Sequence, residues 1–285
     1  MKEDTRKLPS NAIYRHFEGK GPCAHFYHAN GFPLGVYDPL LRRLSEKFRL
    51  SGLEYRAVWP GIGLPTRNID WQVHTDDLIT FVEHQCQPPI IGIGHSMGAT
   101  CTLLAAANRP DLFTKIVLIE PATISVVLGM LIRLLSGSII KRIAPVKTAL
   151  KKKDCWSNRE LYLAYCKKFS GYKKFSEESF QAMARYGVIE TDEGQVKLAF
   201  PKVWEAHNYT KPANVFRSIK KLKTPCVVIR GKPSIFFTES MWQKWQVLCS
   251  NTIFKEDRAY GHLFPLENPS ACSDLIDSGI FEVGC

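Results

Sequence analysis

Gly94-His95-Ser96-Met97-Gly98 stands between the short apolar run Ile90 to Ile93 and the helix-like stretch Ala99 to Asn108, and the fold turns on this stretch. A G-x-S-x-G serine set at a strand-to-helix turn is a nucleophile elbow. The turn forces the serine into a strained backbone conformation, and only glycine on either side lets strand and helix backbones approach so closely. Ser96 is thereby held out at the top of a sheet. A bare pentapeptide of this kind arises by chance in any glycine-bearing loop; the strand before it and the helix after it make it specific.

Working outward, strand-like runs at Ala24 to His28, Leu50 to Tyr55, Ile90 to Ile93, Ile116 to Glu120, Cys226 to Arg230 and Thr252 to Phe254 alternate with helical patterns. The helices are expected at Tyr37 to Phe48, Thr75 to Cys86, Met97 to Asn108, Thr238 to Leu248 and Pro265 to Ile276. Together they predict an α/β protein with a mostly parallel, doubly wound sheet. The alternation breaks once, between Glu120 and about Asn214, where helical patterns follow one another. An inserted, mainly helical cap over 123–214 fits there, with 1–122 and 215–285 forming the core. Inside the insertion, Asp192-Glu193-Gly194 between two short apolar stretches predicts a hairpin over Tyr186 to Leu198, and Asn208 to Asn214, with Pro212, reads as a connector back to the sheet.

A chain of 285 residues with 45% apolar content can bury a large core. Its first residues, MKEDTRKLPS, are charged and lack the apolar stretch of a secretory signal. Nine scattered cysteines without a C-x-x-C pair read as reduced thiols in a cytoplasmic protein. The net charge of +11 is uneven: residues 123–214 hold 16 Lys or Arg against 8 Asp or Glu, an excess of +8. No zinc-finger, RNP-like or P-loop pattern accompanies it, which argues against a nucleic-acid partner.

A serine hydroxyl is a poor nucleophile until a base takes its proton, and the base needs a carboxylate to fix its tautomer and stabilise its charged form. His262, in Tyr260-Gly261-His262-Leu263-Phe264-Pro265 between the last strand and the last helix, is the expected base. His95 flanks the nucleophile and His28 ends an early strand, and both read as structural. After Cys226 to Arg230 the sequence Gly231-Lys232-Pro233-Ser234-Ile235-Phe236-Phe237 offers no carboxylate before Glu239. Glu120, ending the strand after the elbow at the same sheet edge as Ser96, is therefore preferred as the acid over Glu239, Asp257 or no acid at all. The developing oxyanion needs amide donors, expected from Met97 and from one of Asn30, Gly31 and Phe32 in His28-Ala29-Asn30-Gly31-Phe32-Pro33.

On these stretches, with Leu118-Ile119-Glu120-Pro121, the chain resembles the α/β-hydrolase superfamily along nearly its whole length except the cap. A glutamate 24 residues after the nucleophile is similar to the acid position of the haloalkane dehalogenase branch. That branch and the epoxide hydrolases carry aspartate where Ser96 stands, so their chemistry is not implied. The stretch Glu54-Tyr55-Arg56-Ala57-Val58-Trp59-Pro60-Gly61 departs from the Asp-x-Arg-Gly-x-Gly turn common among relatives, which leaves the geometry of that loop open.

Thr123 to Ile140 is nearly all apolar and is followed by Lys141, Arg142, Lys147 and Lys151-Lys152-Lys153. It is short for a membrane span and carries Arg133 and a Gly/Ser break. Leu128, Leu131, Ile132 and Leu135 recur at helical spacing and suit a lid helix; Leu128, Leu131 and Leu135, with Trp204, are expected to line the substrate pocket. The lysines read as a solvated face or as a peripheral contact with an anionic membrane. The expected activity is hydrolysis of a carboxylic ester or thioester with an apolar acyl group, without metal or organic cofactor. The rival readings are a non-catalytic small-molecule receptor and a cofactor-free, haloperoxidase-like perhydrolase on the same fold.

Overall fold

The computed structural model describes residues 8–124, 129, 132, 134–135, 137–249 and 251–283. Seven strands form one sheet: β1 (Tyr14–Phe17), β2 (Cys23–Tyr27), β3 (Arg49–Leu53), β4 (Ile90–His95), β5 (Phe113–Ile119), β9 (Cys226–Arg230) and β10 (Thr252–Glu256). Three further strands, lying between β5 and β9 in the chain, form a second sheet. The order across the sheet is β1-β3-β2-β4-β5-β9-β10. Every pairing is parallel except that of β1 with β3.

Helices cover both faces, as a parallel sheet requires. On one side α2 (Trp71–Gln85), α3 (Met97–Asn108), α8 (Phe216–Lys221) and α9 (Glu239–Leu248) bury Leu78, Phe81, Leu103, Phe216 and Trp245 against Ile116, Leu118 and Val228. On the other, α1 (Asp38–Ser45) and α10 (Pro269–Glu282) pack Leu40, Leu44, Ile276 and Ile280 on Ile93, Val117 and Val227. The apolar strand runs in the sequence are the runs that line both clusters.

The segment between β5 and β9 contains α4 (Val146–Lys151), α5 (Arg159–Lys168), α6 (Glu177–Tyr186) and α7 (Lys202–Thr210). It also contains a three-stranded antiparallel sheet, in the order β6 (Cys155–Trp156), β8 (Val196–Leu198), β7 (Val188–Glu190). The hairpin expected around Asp192-Glu193-Gly194 is β7–β8, and Gly194 takes the positive φ of 74° that its turn needs.

Two expectations are corrected, and two elements are added. Asn208 to Thr210 complete α7 instead of starting the connector. Helix α2 begins at Trp71, because the Asp70 carboxylate caps the amides of Gln72 and Val73. Strand β1 and helix α8 were not anticipated.

Candidate active site

Strands β4, β5, β9 and β10 run parallel, so the loops that leave them meet at one edge, where open α/β sheets bind ligands. Ser96 follows β4 directly. Its φ of 54° and ψ of −117° lie where a side-chain-bearing residue is strained, and the turn is pinned by Ser96 N–H donating to Ile119 O at 2.9 Å. Gly98 is required: a Cβ there would sit 2.1 Å from the Tyr27 carbonyl oxygen. Gly94 is equally constrained, since its Cβ would lie 2.6 Å from the Ala99 nitrogen.

Glu120 follows β5 and is fully buried, with a positive φ of 48°. Its backbone N–H donates to Ile229 O at 2.8 Å, and its Oε1 accepts the Gly231 N–H at 2.5 Å. Its Oε2 lies 3.0 Å from His262 Nδ1, and His262 Nε2 lies 3.0 Å from Ser96 Oγ. A carboxylate accepts only, so Nδ1 carries the proton and Nε2 is left to accept from the serine hydroxyl. Glu239, one rival for the acid, pairs with Arg230 at 2.9 Å. Asp257, the other, turns an oxygen to the Ala259 amide.

The loop that carries His262 is held from several sides. Gly261 N–H donates to Glu267 Oε2 at 2.8 Å, Lys232 N–H to Tyr260 O at 2.8 Å, and the Tyr260 ring stacks on Phe264 at 4.4 Å. His95 contributes what its position in the sequence did not reveal. Its Nε2 lies 2.8 Å from the His262 carbonyl and must donate to it, so its Nδ1 accepts from Tyr37 Oη at 2.7 Å. Tyr37 Oη in turn accepts the Ala29 N–H at 3.3 Å. Burial lowers the His95 pKa to about 3, so the ring stays neutral and the chain of bonds keeps its direction. One relay thus joins the loop after β2 to the loop that carries His262.

Helix α3 starts at Met97, whose N–H has no acceptor within the helix, as for any first-turn amide. Asn30, Gly31 and Phe32 follow β2, and Gly31 adopts φ 83°. Glu54 supports this loop: its carboxylate accepts the Leu34 N–H at 3.0 Å and lies 3.0 Å from His28 Nε2. The stretch that departs from the common turn therefore has its own work, with Arg56 bonded twice to Asp77 at 2.6 Å.

A cavity opens beside Gly31 and Phe32, walled by Trp156, Tyr162, Phe169 and Tyr172 and by the Lys152–Glu205 pair. Leu128 and Leu131, expected in the pocket, lie outside the described residues. Leu135 is half-buried. Trp204 is in the core and not in this lining: its indole N–H donates to Gly63 O at 2.9 Å. The neighbouring Glu205 faces the cavity instead. Lys152, expected on a basic surface with Lys151 and Lys153, turns inward, because Glu205 offers both carboxylate oxygens at 2.7 and 2.8 Å. Among the described residues no helix is long and apolar enough to cross a membrane.

A sequence model of the Alpha/beta hydrolase family matches residues 26–275, and the chain belongs to that family. It is 31% identical over 106 residues to 2-(acetamidomethylene)succinate hydrolase of Mesorhizobium japonicum, covering 36% of this chain and 37% of that protein. It is 30% identical over 152 residues to the type I acyl-CoA thioesterase mpaH' of Penicillium brevicompactum, covering 47% of this chain and 33% of that protein. The chain thus spans about a third of the length of each of these curated relatives. A crystal structure of E-2-(acetamidomethylene)succinate hydrolase superposes with a TM-score of 0.74 at 18% identity, over 95% of this chain and 99% of that one, a likeness of fold.

Proposed function

We propose that the chain is a serine hydrolase that cleaves a carboxylic ester or a thioester through an acyl-enzyme on Ser96. The observation that carries this reading is the chain Ser96 Oγ, His262 Nε2, His262 Nδ1, Glu120 Oε2, with 3.0 Å at each of its two contacts. His262 takes the hydroxyl proton as Oγ bonds to the substrate carbonyl carbon, and the carbonyl electron pair moves onto oxygen. Glu120 holds the ring in the tautomer that can accept and stabilises the imidazolium that results. Met97 N–H and an amide of the Asn30 to Phe32 loop receive the oxyanion, a contribution of about 3 kcal/mol per donor in comparable sites. Collapse expels the alcohol or thiol, protonated by His262, and water repeats the sequence to release the acid.

The aromatic cavity beside Gly31 supports an apolar acyl group, and likeness to a relative named as an acyl-CoA thioesterase keeps the thioester in view. The eight described cysteines are unpaired, which accords with a reducing, cytoplasmic setting. Acetyl, butyryl, octanoyl and decanoyl aryl esters, with matching thioesters, test the reading. We expect wild-type kcat/KM to rise roughly fourfold per added methylene while the chain is buried, at about 0.8 kcal/mol each, and activity to be lost in Ser96→Ala. Ligand binding without turnover would favour the receptor, and peracid formation exceeding hydrolysis when hydrogen peroxide is added would favour the perhydrolase. Unchanged turnover in Ser96→Ala would remove the mechanism.

A further inference from the structure

Helix α7 grips the loop that follows β2 at three points, and none of them belongs to the serine, histidine and carboxylate chain. Asn30 Nδ2 donates to the Glu205 carbonyl at 3.0 Å, and Asn30 Oδ1 accepts from Asn208 Nδ2 at 2.9 Å. Both asparagines are buried. Asn208 is itself fixed from α2: its Oδ1 lies 3.3 Å from His74 Nε2, and its carbonyl accepts the Trp71 indole N–H at 2.8 Å. At the third point the Glu205 carboxylate occupies the space beside Gly31, where a Cβ would lie 2.8 Å from its carboxyl carbon. Lys152, just past α4, keeps the carboxylate there through the buried ion pair, and α4 packs on α7 through Val146, Ala149 and Ala206.

The same helix reaches the base. Tyr209 stacks on Phe236 at 5.9 Å, and Phe236 lies against the His262 ring at 4.6 Å. One helix of the inserted segment therefore touches both the loop whose amides are expected to hold the oxyanion and the aromatic ring that backs the base.

We propose that Asn208 and Glu205 are positioning residues for the oxyanion loop, with Lys152 as the latch that keeps Glu205 seated against Gly31. The proposal rests on the hydrolase reading above. Backbone amides stabilise an oxyanion only if they are already aimed when the charge develops. A glycine at positive φ has no side chain of its own to anchor it, so neighbouring contacts must fix its direction. Asn30 anchors one side of Gly31 through α7, and the Glu205 carboxylate fills the other. A buried ion pair is a weak source of stability, and placement of this loop gives the Lys152–Glu205 pair a role.

The test uses the full chain with Asn208→Ala, Lys152→Met and Lys152→Arg, an aryl ester for kcat and KM, and a fluorophosphonate for the acylation half-reaction. With an aryl acetate, so that packing of a long acyl chain on the cavity wall does not enter, we expect Asn208→Ala and Lys152→Met to lower kcat by roughly 10- to 100-fold, below the full loss of one oxyanion donor, with KM within threefold. Fluorophosphonate labelling should slow by the same factor, because its phosphoryl oxygen uses the same amides. Lys152→Arg should recover most of the rate by keeping the cation opposite Glu205. A merely structural role predicts a lower unfolding midpoint with wild-type kcat below it, and that result overturns the proposal, as does a rise in KM at constant kcat. If Asn208→Ala does not fold, the Lys152 pair alone decides between the same outcomes. A wild type that neither turns over ester nor labels overturns the hydrolase reading and this proposal together, whereas a reactive wild type with equally reactive variants overturns only the positioning role.

Discussion

Glu120 and Glu239 are two carboxylates within reach of the same sheet edge, and their surroundings separate their roles. Glu120 is buried with its oxygens divided between the Gly231 amide and His262, while Glu239 is half-exposed and bonded to Arg230. Glu120→Gln should therefore lower kcat by about 10⁴-fold, the scale seen when a triad acid loses its charge, and Glu239→Gln by no more than a few fold. Steady-state rates of the two purified variants check this, and equal losses would contradict the assignment. The convergence of Ser96, His262 and Glu120 at one sheet edge was legible because each sits at a position that a short local pattern marks. Asn208 and Glu205 were not, because they act on a loop some 175 residues earlier in the chain and carry no motif. Trp204, expected in the pocket, lies in the core while its neighbour Glu205 faces the cavity, which marks a second limit. Adjacent helical residues differ by about 100° around the axis, and an amphipathic stretch does not say which of two neighbours meets a cavity built by distant segments.

At the scale of elements, the strand–elbow–helix unit was readable because its constraint is steric and local. Gly98→Ala puts a methyl group against the Tyr27 backbone, and backbone has little room to yield. It should cost about 3 kcal/mol or more, whereas Gly63→Ala, which meets nothing within 4 Å, should cost well under 1 kcal/mol. Urea midpoints at constant m-value measure both, and similar costs would undo the close-approach account. Strand β1 escaped because Tyr14-Arg15-His16-Phe17 lies at an exposed edge and shows no apolar alternation. Helix α8, six residues long, is shorter than the window in which helical periodicity can be read. The aspartate cap of α2 is present in the sequence, but the apolar periodicity that marks the helix begins only at Thr75, one turn later than the start at Trp71.

For the molecule as a whole, the fold class was legible because the two clusters are built from long apolar runs with regular spacing, while the burial of individual polar groups was not. His25, His74 and His95 lie fully inside, and desolvation lowers each from 6.5 to about 3. In the unfolded chain they titrate near the ordinary histidine value. Their folded pKa values are depressed, so the stabilisation of their neutral forms is fully present above about 6.5 and is lost as pH falls towards 3. Each should subtract about 1.4 kcal/mol per pH unit across that window. Unfolding at pH 5 should take up about three protons from these sites, measurable by calorimetry in buffers of different ionisation enthalpy. No proton uptake at pH 5, or a urea midpoint flat from pH 7 to 5, would contradict this.

The central claim is that Ser96 is an activated nucleophile, and covalent labelling reads it without knowledge of the substrate. Intact-mass and peptide analysis after brief exposure to a fluorophosphonate should find one adduct per chain, on Ser96, with labelling slowed by at least about 10³-fold in folded His262→Ala. A folded wild type that takes no label, or takes it on another residue while Ser96 stays free, would contradict the account.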